Sequence, residues 1–178
     1  TEIPVDAEGR LDMDSYAKSL TSDTAVVSLM WANNETGVVF PVERAARMAY
    51  ERDILFHTDA VQVVGKMPID MKKNTINMLS FSGHKLHAQK GIGVLYVRRG
   101  TKFVPFFIGG HQERERRGGT ENTPAIVGLG KACELAAANL KEENTRVRAL
   151  RDKLETELLR KVPGSRVNGD TAQRLPNT

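Results

Sequence analysis

Three short apolar runs, each closed by a cluster of polar residues, constrain this chain more than any other feature. Ala25–Trp31 (AVVSLMW) runs into Asn33, Asn34, Glu35 and Thr36. Ile54–Thr58 carries His57 and runs into Asp59 and Gln62, and Ile76–Ser82 runs into Gly83, His84 and Lys85. Solid β-branched and apolar runs of this length read as strands buried on both faces. Between the first two, Pro41 opens PVERAARMAYERD, whose Val42, Ala45, Ala46 and Ala49 share one helical face. Proline suits a first helical turn because its missing N–H would have no partner there. Upstream, Ile3–Val5 is a short apolar stretch and Asp12 is placed to cap a helix through Leu20. The order strand, helix, strand, connector, strand predicts an α/β domain with a mainly parallel sheet and helices on both faces.

After Gly91 the pattern changes. Ile92–Val97 and Phe103–Ile108 read as two strands with no helix between them, which predicts an antiparallel edge. Gly109 and Gly110 open a polar loop to Asn122, and Pro124 starts a long helical region. Its later half, KEENTRVRALRDKLETELLRK, sets Val147, Leu150, Leu154 and Leu158 at helical spacing among charges of both signs. That pattern predicts a solvated helix face, with a coiled-coil seam as the alternative. Pro163-Gly164 ends the helix, and Val167 is expected to begin a new strand. Residues 1–138 are accordingly assigned to one α/β domain, and 139–178 to a long connecting helix and the beginning of a smaller second domain.

Composition removes several classes of function. Hydrophobic residues make up 40% of the 178, and charged residues 27%, which suits a packed globular chain and not a disordered one. No apolar run approaches the roughly 18 residues of a membrane span. The net charge of +4 is mild; basic residues gather at Arg98, Arg99, Lys102, Arg114, Arg116 and Arg117, but Glu113 and Glu115 interrupt them. With aromatics at 6%, the stacking platform of a nucleic-acid binder is not evident. The one cysteine, Cys133, cannot form an internal disulfide, and it lies in the apolar stretch AIVGLGKACELAAANL, where a buried structural role is expected. The first residues show no secretory pattern, so a reducing, cytoplasmic location is expected.

The polar clusters carry the chemistry. Ligands of open parallel sheets bind in the crevice beyond the carboxyl ends of the strands, where three runs deliver titratable groups here. A lysine at the end of a buried strand, as Lys85 is, can have its amine desolvated and neutral, ready to attack a carbonyl. A surface lysine in a turn is the alternative. Asp59 sharpens the reading, because a lysine paired with a carboxylate is the signature of pyridoxal phosphate chemistry; alone it would be a turn or cap acid. His57 with Asp59 (H-x-D) and His84 with His87 (H-x-x-H) admit a metallohydrolase reading, but the second pair follows a strand and lacks the helical H-E-x-x-H arrangement. No bound metal is therefore expected. Gly91-Ile92-Gly93 precedes a strand, whereas a dinucleotide loop follows one. A non-catalytic binding module is the remaining alternative.

Five segments, NNETG (33–37), HTDAVQ (57–62), SFSGHK (80–85), KGIGVLYVRRG (90–100) and GGHQERERRGGTEN (109–122), together resemble the cysteine desulfurases of the NifS/IscS kind. These are class V aminotransferases of the fold-type I pyridoxal phosphate enzymes. The resemblance implies pyridoxal 5'-phosphate as cofactor, with Lys85 as the Schiff-base lysine that also moves the substrate proton. It implies Asp59 opposite the ring nitrogen, Gln62 at the phenolate oxygen, Asn34 near that oxygen and the substrate carboxylate, and Ser82 and His84 at the phosphate. Thr120 is similar to a threonine that reaches the phosphate in a neighbouring subunit, implying a homodimer. The implied reaction converts L-cysteine to L-alanine, with sulfur passed through an enzyme persulfide to an iron–sulfur scaffold or another acceptor protein. A selenocysteine lyase or another class V enzyme acting on a small amino acid is the nearest rival. In such enzymes the nucleophilic cysteine and the substrate-carboxylate arginine follow the segment matched here, and the ring-stacking histidine precedes it. These 178 residues alone are therefore expected not to turn over cysteine.

Overall fold

The computed structural model describes all 178 residues. Its sheet has four strands in the order β1 (Val26–Met30), β2 (Leu55–Asp59), β3 (Met78–Ser82) and β4 (Gly93–Val97). β1–β2 and β2–β3 are parallel, and β3–β4 is antiparallel, as the missing helix between the last two strands predicts. The register sets Ser28 opposite His57, Met30 opposite Asp59, and Asp59 opposite Ser80.

Helix α1 (Met13–Ser19) starts where Asp12 accepts the backbone N–H groups of Asp14 and Ser15 at 3.0 and 2.9 Å. Helix α2 (Val42–Tyr50) buries the predicted stripe of Val42, Ala45, Ala46 and Ala49 and packs on β1 and β2. Three alanines on that stripe let the helix axis approach the sheet closely. Tyr16 of α1 reaches across and donates its hydroxyl to the Ala45 carbonyl at 2.8 Å, and its burial raises the phenol to about 12. Around these contacts one core forms, in which Phe56, Ala60, Val63 and Ile76 are fully buried.

The fold class is the α/β arrangement read from the sequence, but the expected helical cover differs between faces. Val27, Leu29, Phe56 and Leu79 face the core, whereas Val26, Ser28, Met30, Asp59 and Leu95 on the other face are exposed, because no element of these 178 residues packs over them.

Two expected strands are absent. Phe103–Ile108 is irregular and projects Val104, Phe106, Phe107 and Ile108 into solvent. Its composition favours a strand, but Pro105 lacks an N–H and no neighbouring strand lies alongside to pair with it. Val167 opens no strand either; the end of the chain is held instead by a bridge between Val38 and Arg174. Leu175 and Pro176 are buried there, with Leu175 in the first-half core. The polar loop 109–122 contains a short turn, α3 (Gln112–Glu115), where Glu113, Arg114 and Glu115 have positive φ. Helix α4 (Thr123–Glu142), capped by Asn122, continues through a π-type turn (Glu143–Val147) into α5 (Arg148–Lys161). Leu150, Leu154 and Leu158 remain about half exposed along α5.

Candidate active site at the strand tips

Local geometry delivers the three polar clusters to one end of the sheet. Leaving β1, the Trp31 N–H donates to the Asp59 carbonyl at 2.8 Å, which ties the first tip to the second. The Asn33 side chain accepts the N–H groups of Glu35 and Thr36 at 2.9 and 3.0 Å and so folds the next residues into a tight turn. Asn34 is exposed at the apex of this turn.

Asp59 ends β2. Its Oδ1 accepts the Val61 N–H at 2.8 Å, which orients the carboxylate and leaves Oδ2 available to a ligand. Gln62 is half-buried in the turn that follows, held by the packing of Ala60 and Val63 on either side of it. Two residues below Asp59, His57 sits between two serines: Nδ1 is 2.8 Å from Ser28 Oγ on β1, and Nε2 is 3.1 Å from Ser80 Oγ on β3. Burial lowers the pKa of this imidazole from its usual 6.5, while the nearby Asp59 carboxylate works in the opposite direction. The clamp is absent from a reading of His57 as half of an H-x-D metal pair. Its signal was Ser28 within the apolar run AVVSLMW and Ser80 within INMLSFS, on the strands that flank β2.

At the end of β3, Ser82 Oγ and His84 Nδ1 are 2.7 Å apart, so the pair presents a hydroxyl and a free Nε2. Gly83 must be glycine here: an added Cβ would lie 2.8 Å from Ile92 and 3.1 Å from Leu129. With Gly83 and Leu86 buried, the single turn Gly83–Leu86 rotates Lys85 outward. This corrects one expectation, since Lys85 is exposed and not desolvated. Its turn borders a cavity of about 380 Å³, lined among others by Lys66, Lys85, His87, Glu143 and Arg146, and not by Asp59. Burial and the neighbouring Lys85 lower the Lys66 pKa. Thr120 is exposed in the loop before α4. Cys133 is half-buried, and burial raises its thiol pKa, the opposite of what a nucleophile needs.

The donor set fits a phosphorylated pyridine aldehyde. A free carboxylate oxygen at one tip suits a ring nitrogen, a hydroxyl–imidazole pair at the next suits a phosphate, and an exposed primary amine lies three residues beyond Ser82. It does not suit a metal ion, since no three His, Cys, Asp or Glu side chains converge.

Known proteins resemble this chain along almost its whole length. The aminotransferase class-V family matches residues 1–178. A cysteine desulfurase of Gluconacetobacter diazotrophicus is 61% identical over 176 residues, 99% of this chain and 44% of that protein. The cysteine desulfurase NifS of Azotobacter vinelandii is likewise 61% identical, over 177 residues and 44% of its length. Among solved structures, a NifS-like protein superposes with a TM-score of 0.93 at 38% identity, covering 99% of this chain and 48% of that one. The chain thus spans a little under half the length of these relatives.

Proposed function

This chain belongs to the aminotransferase class-V family, and we propose that it is the lysine-bearing part of a pyridoxal phosphate-dependent cysteine desulfurase. The observation that carries the reading is the placement of Asp59, Ser82, His84 and Lys85 at the adjacent tips of β2 and β3. The names of the relatives favour cysteine over selenocysteine as substrate.

When bound, pyridoxal phosphate supplies an electron sink for the carbon next to the substrate amine. The chain's own residues would do the rest. Asp59, its Oδ1 fixed by the Val61 N–H, holds the ring nitrogen through Oδ2. Ser82 and His84 grip the phosphate, and Gln62 donates to the phenolate oxygen. Asn34, at the apex of its turn, orients the substrate carboxylate. Lys85 would hold the cofactor through its amine and would carry the substrate proton. Its exposure gives the flexible side chain room to swing towards Asp59, and desolvation of its amine would come from the bound cofactor and whatever covers it.

Further elements of the proposal are a homodimer in which Thr120 reaches the partner's phosphate site, a division into domains at residues 138 and 139, transfer of sulfur to an iron–sulfur scaffold or similar acceptor protein, and a cytoplasmic location. No helix of the chain is long and apolar enough to cross a membrane.

The test is a titration with pyridoxal phosphate of the polypeptide that carries this sequence, followed by visible absorbance, together with alanine release from L-cysteine. Lys85→Ala is expected to abolish the covalent cofactor band, and Asp59→Asn to cut alanine release by at least about a hundredfold. A band that survives Lys85→Ala would overturn the assignment.

A further inference from the structure

His57 is engaged at both ring nitrogens, by hydroxyls from two different strands, on the same side of β2 as Asp59. The geometry of the second contact is informative. Ser28 is the direct neighbour of His57 across β1–β2, but Ser80 is the neighbour of Asp59, not of His57. The imidazole therefore leans along the strands towards their carboxyl ends and spans β1, β2 and β3 just beneath the Asp59 carboxylate. These are the three strands whose tips carry Asn34, Asp59 and the Ser82–His84–Lys85 turn.

Resting on the reading of the site as a pyridoxal phosphate site, we infer that His57 is a positioning residue: its imidazole, bridged to Ser28 and Ser80, fixes the spacing of the three tips and the placement of the Asp59 carboxylate. A hydroxyl can donate or accept, so Ser28 and Ser80 satisfy a neutral imidazole in either tautomer. Neutrality matters at this place. An imidazolium beneath Asp59 would compete for the charge that a ring nitrogen must keep. Burial opposes that protonation, and Asp59 is the ionisable group that favours it. β1 contributes Ser28 and Met30 to this face and β3 contributes Met78, Ser80 and Ser82, none of them ionisable; His84, bonded to Ser82, lies beyond the tip. The pair of serines thus holds the ring without adding a charge of its own.

Two measurements test the role. In the cofactor-free protein, the His57 ring protons followed by NMR are expected to titrate at lower pH in Asp59→Asn than in the unaltered chain; an unmoved midpoint would overturn the coupling. In the protein loaded with pyridoxal phosphate, His57→Ala is expected to weaken cofactor binding about tenfold and to shift the pH dependence of the visible band. Ser28→Ala combined with Ser80→Ala should shift the band in the same direction, and His57→Asn, which keeps one amide partner, should restore part of the affinity. The serine variant leaves His57 in place and so separates lost positioning from failure to fold. If the band of the unaltered protein is normal and neither variant moves its pH dependence while Asp59→Asn does, His57 has no positioning role. If the unaltered protein forms no band at all, the cofactor reading itself fails, and the role of His57 towards it falls too.

Discussion

His57 also ties the site to stability through its proton. The folded chain holds this imidazole below its usual 6.5 because burial penalises the charged ring, while the unfolded chain protonates at about that value. As pH falls through 6.5 the unfolded state takes up the proton first, so the stability present above 6.5 declines until the folded pKa is also passed. Urea midpoints measured on both sides of 6.5 should show this decline, and His57→Gln should flatten it. A slope that persists in the variant would assign the acid sensitivity to another group. The carboxylates whose pKa is lowered in the fold, Asp6, Asp12, Glu155 and Glu157, act at lower pH, below their usual 3.8 to 4.5.

Among the elements, α2 shows how small residues set the distance between layers. Ala45, Ala46 and Ala49 have no exposed surface, and α2 packs on β1 and β2 through that face. Ala46→Leu inserts three carbons where no space exists and is expected to cost about 1–3 kcal/mol, read as a lower denaturation midpoint. Glu43→Ala, on the exposed face of the same helix, should stay within about 0.5 kcal/mol. Most of this layer was legible in the sequence, because period and polarity coincide: the α2 stripe, the Asp12 cap and the apolar strand runs each follow from local chemistry. Phe103–Ile108 was not legible as coil, since most of its residues have strand propensity; Pro105 and the lack of a partner strand together decide against it. Lys85 was placed correctly at a strand tip, but its exposure depends on which neighbours turn inward. Gly83 and Leu86 face α4 across a separation of more than forty residues, and no local pattern records that. The His57 clamp failed to emerge for the same reason, as its bonds join three strands.

For the whole molecule, the decisive contacts join the last ten residues to the first forty. The Val39 N–H donates to Gln173 and the Leu175 N–H to Gly37, at 2.8 and 2.9 Å, so the tail adds a short pairing beside the turn that presents Asn34. Gly37 has φ of +71°, and an added Cβ would stand 2.5 Å from Thr178. Behind the tail, Arg174 grips Glu155 of α5 with both terminal nitrogens, at 2.6 and 3.0 Å, and Arg151 donates to the Leu175 carbonyl. One ion pair therefore couples the long helix, the tail and the Asn34 turn. Arg174→Ala leaves the largely covered Glu155 carboxylate without its two-point partner, and is expected to cost about 1–2 kcal/mol. Hydrogen exchange gives the sharper readout. The amides of Val39 and Leu175 should lose protection together in Arg174→Ala, while that of Phe56 in the sheet keeps its protection. Adding Glu155→Gln should recover part of the loss, because the stranded charge goes with it. If Val39 and Leu175 exchange independently of each other, the tail and the turn are not one cooperative unit, and the placement of Asn34 does not depend on the end of the chain.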